Sequence, residues 1–68
     1  MFYEWLSAQS ARTDDVGRLA SFVAADKTYP RQTHRLYLLL KYCGGNAELR
    51  RLVKLAHAEW RRMRKVAA

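Results

Sequence analysis

Sixty-eight residues make a single domain. A chain this short buries only about 60% of the surface its unfolded form exposes, so a deep substrate cavity would consume the core and sites are expected on the surface. Half of the residues are hydrophobic, which excludes a disordered tail, and the formal charge of +7 is concentrated: residues 1–26 hold two arginines against four carboxylates, a net of −2, while residues 27–68 hold eleven Lys or Arg against two, a net of +9.

Four helical segments joined by short polar connectors are predicted. The first covers about Phe2 to Gln9, with Phe2, Trp5, Leu6 and Gln9 close to one face. It is too short to persist alone and must be held by packing through Phe2 and Trp5. After the connector Ser10–Thr13, Thr13 is the expected N-cap of a second helix, with Asp14 and Asp15 in the first turn, where carboxylates favour the helix dipole. Val16, Leu19, Ala20, Val23 and Ala24 have the i, i+3, i+4, i+7, i+8 spacing of a packing face. Gly17 inside this helix costs roughly 1 kcal/mol relative to Ala. The usual reason for such a glycine is the close approach of another backbone, the alternative being simple tolerance.

The segment Asp26–Gln32 is the longest connector, and Pro30 makes Tyr29 extended and stops helix on that side. Thr33 is the expected cap of a third helix running to about Cys43 with Leu36, Leu39, Leu40 and Cys43 inward. Gly44-Gly45 is a strong C-terminal stop. Asn46 then caps the final helix, with Glu48 in its first turn.

That final helix, Asn46 to Lys65, has two separated faces. At about 100° per residue, Leu49, Leu52, Val53, Ala56, Trp60 and Met63 form one stripe. Arg50, Lys54, His57, Arg61, Arg64 and Lys65 form another side, which Arg51 and Arg62 extend. Lys27 and Arg31 of the Pro30 connector, with Arg35 and Lys41 of the third helix, enlarge the cationic surface.

Phe2-Tyr3-Glu4-Trp5-Leu6, then Asp14-Asp15-Val16-Gly17 with Leu19-Ala20, then Ala24-Ala25-Asp26, Tyr29-Pro30-Arg31 and a late Trp60, in this order, resemble the YozE-like family through most of the chain. The opening FYEWL and the DDVG–LA–AAD block are its most specific parts. The resemblance implies a compact all-α, four-helix bundle related to the sterile alpha motif (SAM-like) fold with a long C-terminal helix. It implies no assigned chemistry, and its motif residues read as structural, so no binding site is carried over from it. Family members commonly carry acidic residues along the last helix, whereas this one is strongly cationic.

The basic side of the last helix is therefore the leading candidate site. Residues 50, 54, 57, 61 and 64 project along roughly 20 Å of helix, long enough to follow successive backbone phosphates without reading sequence. The bland alternative is a solvated face whose late cations complement the helix C-terminus. Trp5 and Trp60 lie on packing stripes and read as core. Tyr29 is either an exposed aromatic or a loop anchor. Asn46 and Gln32 are among the few amides available for reading bases.

Catalysis finds no support. His34 and His57 lack the carboxylate and Cys spacing of a metal site, Ser7, Ser10 and Ser21 have no defined base, and no Gly-rich phosphate loop is present. Cys43 sits at a helix C-terminus, where the dipole raises a thiol's pKa, and reads as a small buried hydrophobe. The longest apolar run, Leu36–Leu40, is too short to span a bilayer, and the apolar stripe of the last helix is needed for the core rather than for membrane docking. The opening residues lack the form of a secretion signal, and a single cysteine permits no internal disulfide. The expectation is a cytoplasmic, non-enzymatic module without cofactor or metal. It binds nucleic acid, DNA in preference to RNA, or else an acidic protein surface. Weak head-to-tail self-association is a further option, given the opposite charges of the two parts.

Overall fold

The computed structural model describes the backbone of residues 2–67 and the side chains of residues 2–64. Within that range the chain forms four helices and no strand: α1 (Phe2–Ser7), α2 (Asp15–Ala25), α3 (Leu36–Cys43) and α4 (Ala47–Ala67). α4 packs against each of the other three, and α1 packs against α2.

α1 ends two residues before Gln9 and continues as turns, in which the Gln9 N–H donates to the Leu6 carbonyl and the Arg12 N–H to the Gln9 carbonyl. Phe2 and Leu6 are fully buried. The Phe2 ring meets Trp5, His57 and Trp60 at centroid separations of 6.0, 5.3 and 5.4 Å, so tertiary contact supplies the stability that six residues of helix lack.

The N-cap of α2 is Asp14, not Thr13. Asp14 has an extended backbone and its Oδ1 accepts from the Gly17 N–H at 3.1 Å, the geometry that satisfies a first-turn amide. Thr13 stands one residue too early. Val16, Leu19, Ala20 and Val23 are buried, whereas Ala24, about 80° round the helix from Val16, is exposed because nothing of the described residues covers it. Gly17 admits a backbone: a Cβ there would lie 1.9 Å from the Arg12 carbonyl oxygen. The turn before α2 can fold onto the helix only because that atom is missing.

α3 begins at Leu36 rather than at Thr33. Thr33 Oγ1 accepts from the Arg35 N–H at 3.4 Å and so orders the approach instead of capping the helix. In the preceding connector, one Asp26 oxygen accepts from the Thr28 N–H and hydroxyl and the other from the Tyr42 hydroxyl. Tyr29 is 4% exposed, between the rings of Tyr3 and Tyr42, and is therefore the loop anchor. Gly44 ends α3 at φ +59°, and Asn46 Oδ1 accepts from the Leu49 N–H at 2.9 Å, as its position implied. Leu49, Leu52, Val53, Ala56 and Trp60 are buried along α4. Met63 shares their angular stripe but is 52% exposed, since no helix of the described residues reaches that far along α4.

The two glycine environments make opposite demands. Gly17→Ala is expected to destabilise the fold by about 3 kcal/mol through overpacking, whereas Gly45→Ala, whose Cβ would meet open space, is expected to change stability by less than about 0.5 kcal/mol. Urea unfolding of the two variants checks this, and equal effects would contradict it.

Candidate functional site

The structure divides the expected cationic surface. His57 leaves it: only 6% exposed, it packs on Phe2 and Trp60, with Nε2 2.8 Å from the His34 carbonyl oxygen. A carbonyl only accepts, so Nε2 carries the proton. His57 lies only about 40° from Val53 at helical pitch, on the margin of the packing stripe. The connector before α3 covers that margin through the His34 carbonyl, and Phe2 of α1 packs on it as well.

Arg51 is also withdrawn. Its guanidinium donates to both Glu48 oxygens, at 2.6 and 3.2 Å, and to Asp15 at 3.2 Å. Arg50 turns back to donate to the Leu40 carbonyl at 3.2 Å and, at longer range, to that of Gly44, complementing the C-terminal end of α3. Both Asn46 and Gln32 are exposed, but the Asn46 side-chain carbonyl oxygen is committed to its cap. The Lys65 side chain lies outside the described residues.

Lys54, Arg61, Arg62 and Arg64 remain exposed, and among the described residues none has a salt-bridge partner. Lys54 and Arg61 are about 20° apart around the helix and about 10 Å apart along it. The Arg64 guanidinium lies over the Trp60 ring, 4.7 Å from its centroid, a cation–π contact that restrains the group while the residue stays exposed. Ala58 lies between the cations, and with Arg61, Arg62 and Arg64 it lines a shallow depression. Sequence reasoning passed over Ala58. The available signal was a small residue at the angular centre of a cationic side.

Lys27, Arg35 and Lys41 are exposed as expected. Arg31 is exposed too, but its guanidinium lies 5.1 Å from the centroid of the Tyr3 ring, which ties it to α1 rather than to α4.

The carboxylates gather elsewhere. Arg12 pairs with Glu59 at 2.6 Å and Asp14 at 2.5 Å, and Arg18 pairs with Asp15 at 3.4 Å. The Arg12 hydrogen bond, helped by the Gly17 N–H, holds Asp14 below the usual carboxylate range, and Arg51 does the same for Glu48. Four acids are thereby neutralised on the side of α4 that faces α2, so the surplus positive charge stands on the opposite side.

Other reactive groups are poorly placed for chemistry. The Cys43 thiol is buried and donates to the Leu39 carbonyl at 3.2 Å, and its burial pushes its pKa up. The Tyr29 hydroxyl is enclosed without a partner, and burial raises its pKa as well. Among the described residues, no three of His, Cys, Asp and Glu cluster as a metal ion would need, and no helix is long and apolar enough to cross a membrane.

Acid and alkali should act through different groups. Asp14, Glu48 and Asp26 (the last through Thr28 and Tyr42) are depressed in the fold, so their contribution is present above their unfolded values of about 4 and is lost as pH falls through the folded ones. Tyr29 and Tyr42 are raised, chiefly by burial, so theirs is intact below about pH 10 and is lost above it. Circular-dichroism melts should show a plateau between these limits, with a shallower acid limb for Glu48→Gln. Parallel acid limbs would contradict the assignment.

The chain belongs to the YozE SAM-like fold family, whose family model matches residues 1–63. No curated protein and no solved structure matches it.

Proposed function

We propose that this protein is a cytoplasmic binding module that holds nucleic acid, DNA in preference to RNA, through phosphate contacts from α4. The observation that carries the reading is the set Lys54, Arg61, Arg62 and Arg64. These side chains are exposed, none of them has a salt-bridge partner among the described residues, and they span about 160° around one helix, while Asp14, Asp15, Glu48 and Glu59 are paired with other arginines. Arginine presents a planar fork of donors matched to phosphate, and lysine adds a compact charge. From Lys54 to Arg64 the row covers about 15 Å of helix, comparable to four or five base steps of one strand.

Contacts of this kind position the protein without reading bases, so specificity is weak. Binding is favoured over catalysis because the one thiol is buried and protonated and the histidine on α4 is consumed by packing. Head-to-tail self-association is less favoured because Asp14 and Asp15, two of the four acids among residues 1–26, are already paired within the molecule. An acidic protein surface would meet the same four cations, and capture of a protein from nuclease-treated extract without any duplex binding would favour that partner instead.

Fluorescence anisotropy with a labelled duplex of about 20 base pairs, from about 50 to 200 mM salt, should give a log–log slope between about −2 and −4, about −0.9 for each phosphate contacted. Arg61→Glu with Arg62→Glu should weaken binding more than about tenfold with little change in thermal midpoint, and Arg51→Ala should leave the slope unchanged because that charge is already neutralised. Absence of duplex binding at low salt would reject the proposal.

A further inference from the structure

The buried stripe of α4 stops at Trp60, yet the backbone remains helical to Ala67. Arg61, Arg62, Met63 and Arg64 are all exposed, including Met63 on the angle that packs elsewhere in the helix, so at this level the described residues leave α4 uncovered on every side. About 6 Å of helix, from Arg61 to Arg64, thus stands clear of the bundle. Around it, at helical pitch, Arg64 and Arg62 lie about 160° apart with Arg61 between them, and Met63 lies on the far side.

This arrangement differs from a flat cationic face. A plane of charge, such as a bilayer or an acidic protein surface, is reached from one side of a rod, whereas Arg62 and Arg64 point toward opposite flanks. Two walls of negative charge about one helix diameter apart match them. The major groove of B-form DNA is about 12 Å wide and lined on both sides by phosphates, and it admits a helix of about 10–12 Å. The A-form RNA major groove is too narrow for such entry, and a single strand offers no second wall.

Resting on the phosphate-binding reading above, we propose that the projecting end of α4 enters the major groove of duplex DNA. Arg62 and Arg64 contact the two phosphate walls, and Arg61 faces the base edges. Lys54, on the same side as Arg61, follows it toward the groove, and the bundle remains outside because its packing side points away. Arg64 is already restrained by its contact with the Trp60 ring. Arg61 facing the floor adds a modest preference for guanine, whose O6 and N7 accept a bidentate guanidinium.

The test compares one duplex in three forms by anisotropy at a fixed salt concentration: unmodified DNA, the same DNA with glucosylated 5-hydroxymethylcytosines that fill the major groove and leave every phosphate in place, and the RNA duplex. The modified DNA and the RNA should each bind about tenfold more weakly than the unmodified DNA. Arg62→Ala and Arg64→Ala, both at exposed positions, should each reduce the magnitude of the salt slope by about 0.9, and Arg61→Ala should erase the preference for G·C-containing over all-A·T duplexes. Equal affinity for blocked and unblocked DNA, or a slope lowered by only one of the two flanking variants, would overturn groove entry while leaving phosphate binding intact. Failure of every nucleic acid to bind would overturn the phosphate-binding reading itself, and groove entry with it.

Discussion

The Phe2 ring is wedged against Trp5, His57 and Trp60, and this contact fastens a helix of six residues to the middle of α4. The rest of the assembly follows from it. With α1 held there, the turns after Ser7 bring Arg12 down onto α2, where the bare Cα of Gly17 receives its carbonyl, and across to Glu59 of α4. Asp14 then takes the other side of the same guanidinium while capping α2. A small core has few large side chains to spare. Concentrating four aromatic rings at the crossing of α1 and α4 stabilises two helices at once.

The same economy governs the charges. Exposed ion pairs contribute little to stability, and Arg12, Arg18 and Arg51 are no exception. Their larger effect is on the field. By taking up Asp14, Asp15, Glu48 and Glu59 on the side of α4 that faces α2, they remove the negative charges nearest the cationic side and leave that side without internal competition. An isolated salt bridge and an open binding surface are usually alternatives for one arginine. Here Arg51 takes the salt bridges and Arg61, on the same helix, is left exposed.

Much of this was readable from residue spacing. Four helices, the stop at Gly44, the Asn46 cap and the close approach at Gly17 all follow from local rules that need no knowledge of neighbours. The errors share a cause. His57, Arg51, Ala24 and Met63 were placed by their angle on a single helix, whereas their exposure is decided by what lies beside that helix. Phe2 of α1 and the His34 connector cover His57, Asp15 reaches Arg51 from α2, and nothing of the described residues covers Ala24 or Met63. Thr13 and Thr33 were each near the right place, but a cap is selected by backbone geometry to within one residue, and Asp14 met it better. The Arg12–Glu59 pair joins positions 47 residues apart and leaves no periodic trace.

Losing His57 and Arg51 from the cationic side alters the character of the site rather than only diminishing it. A row of evenly spaced charges from Arg50 onward would attract any polyanion along its whole length and prefer none. What remains is a pair, Lys54 and Arg61, in line on the outer side, and Arg62 and Arg64 set on either flank beyond the last buried residue. That distribution is directional. Under the proposed reading it suits a ligand that is negative on two sides and open at the top better than a flat surface of equal charge. Packing, by claiming the cations nearest the bundle, thereby gives shape to a surface that composition alone describes only as basic.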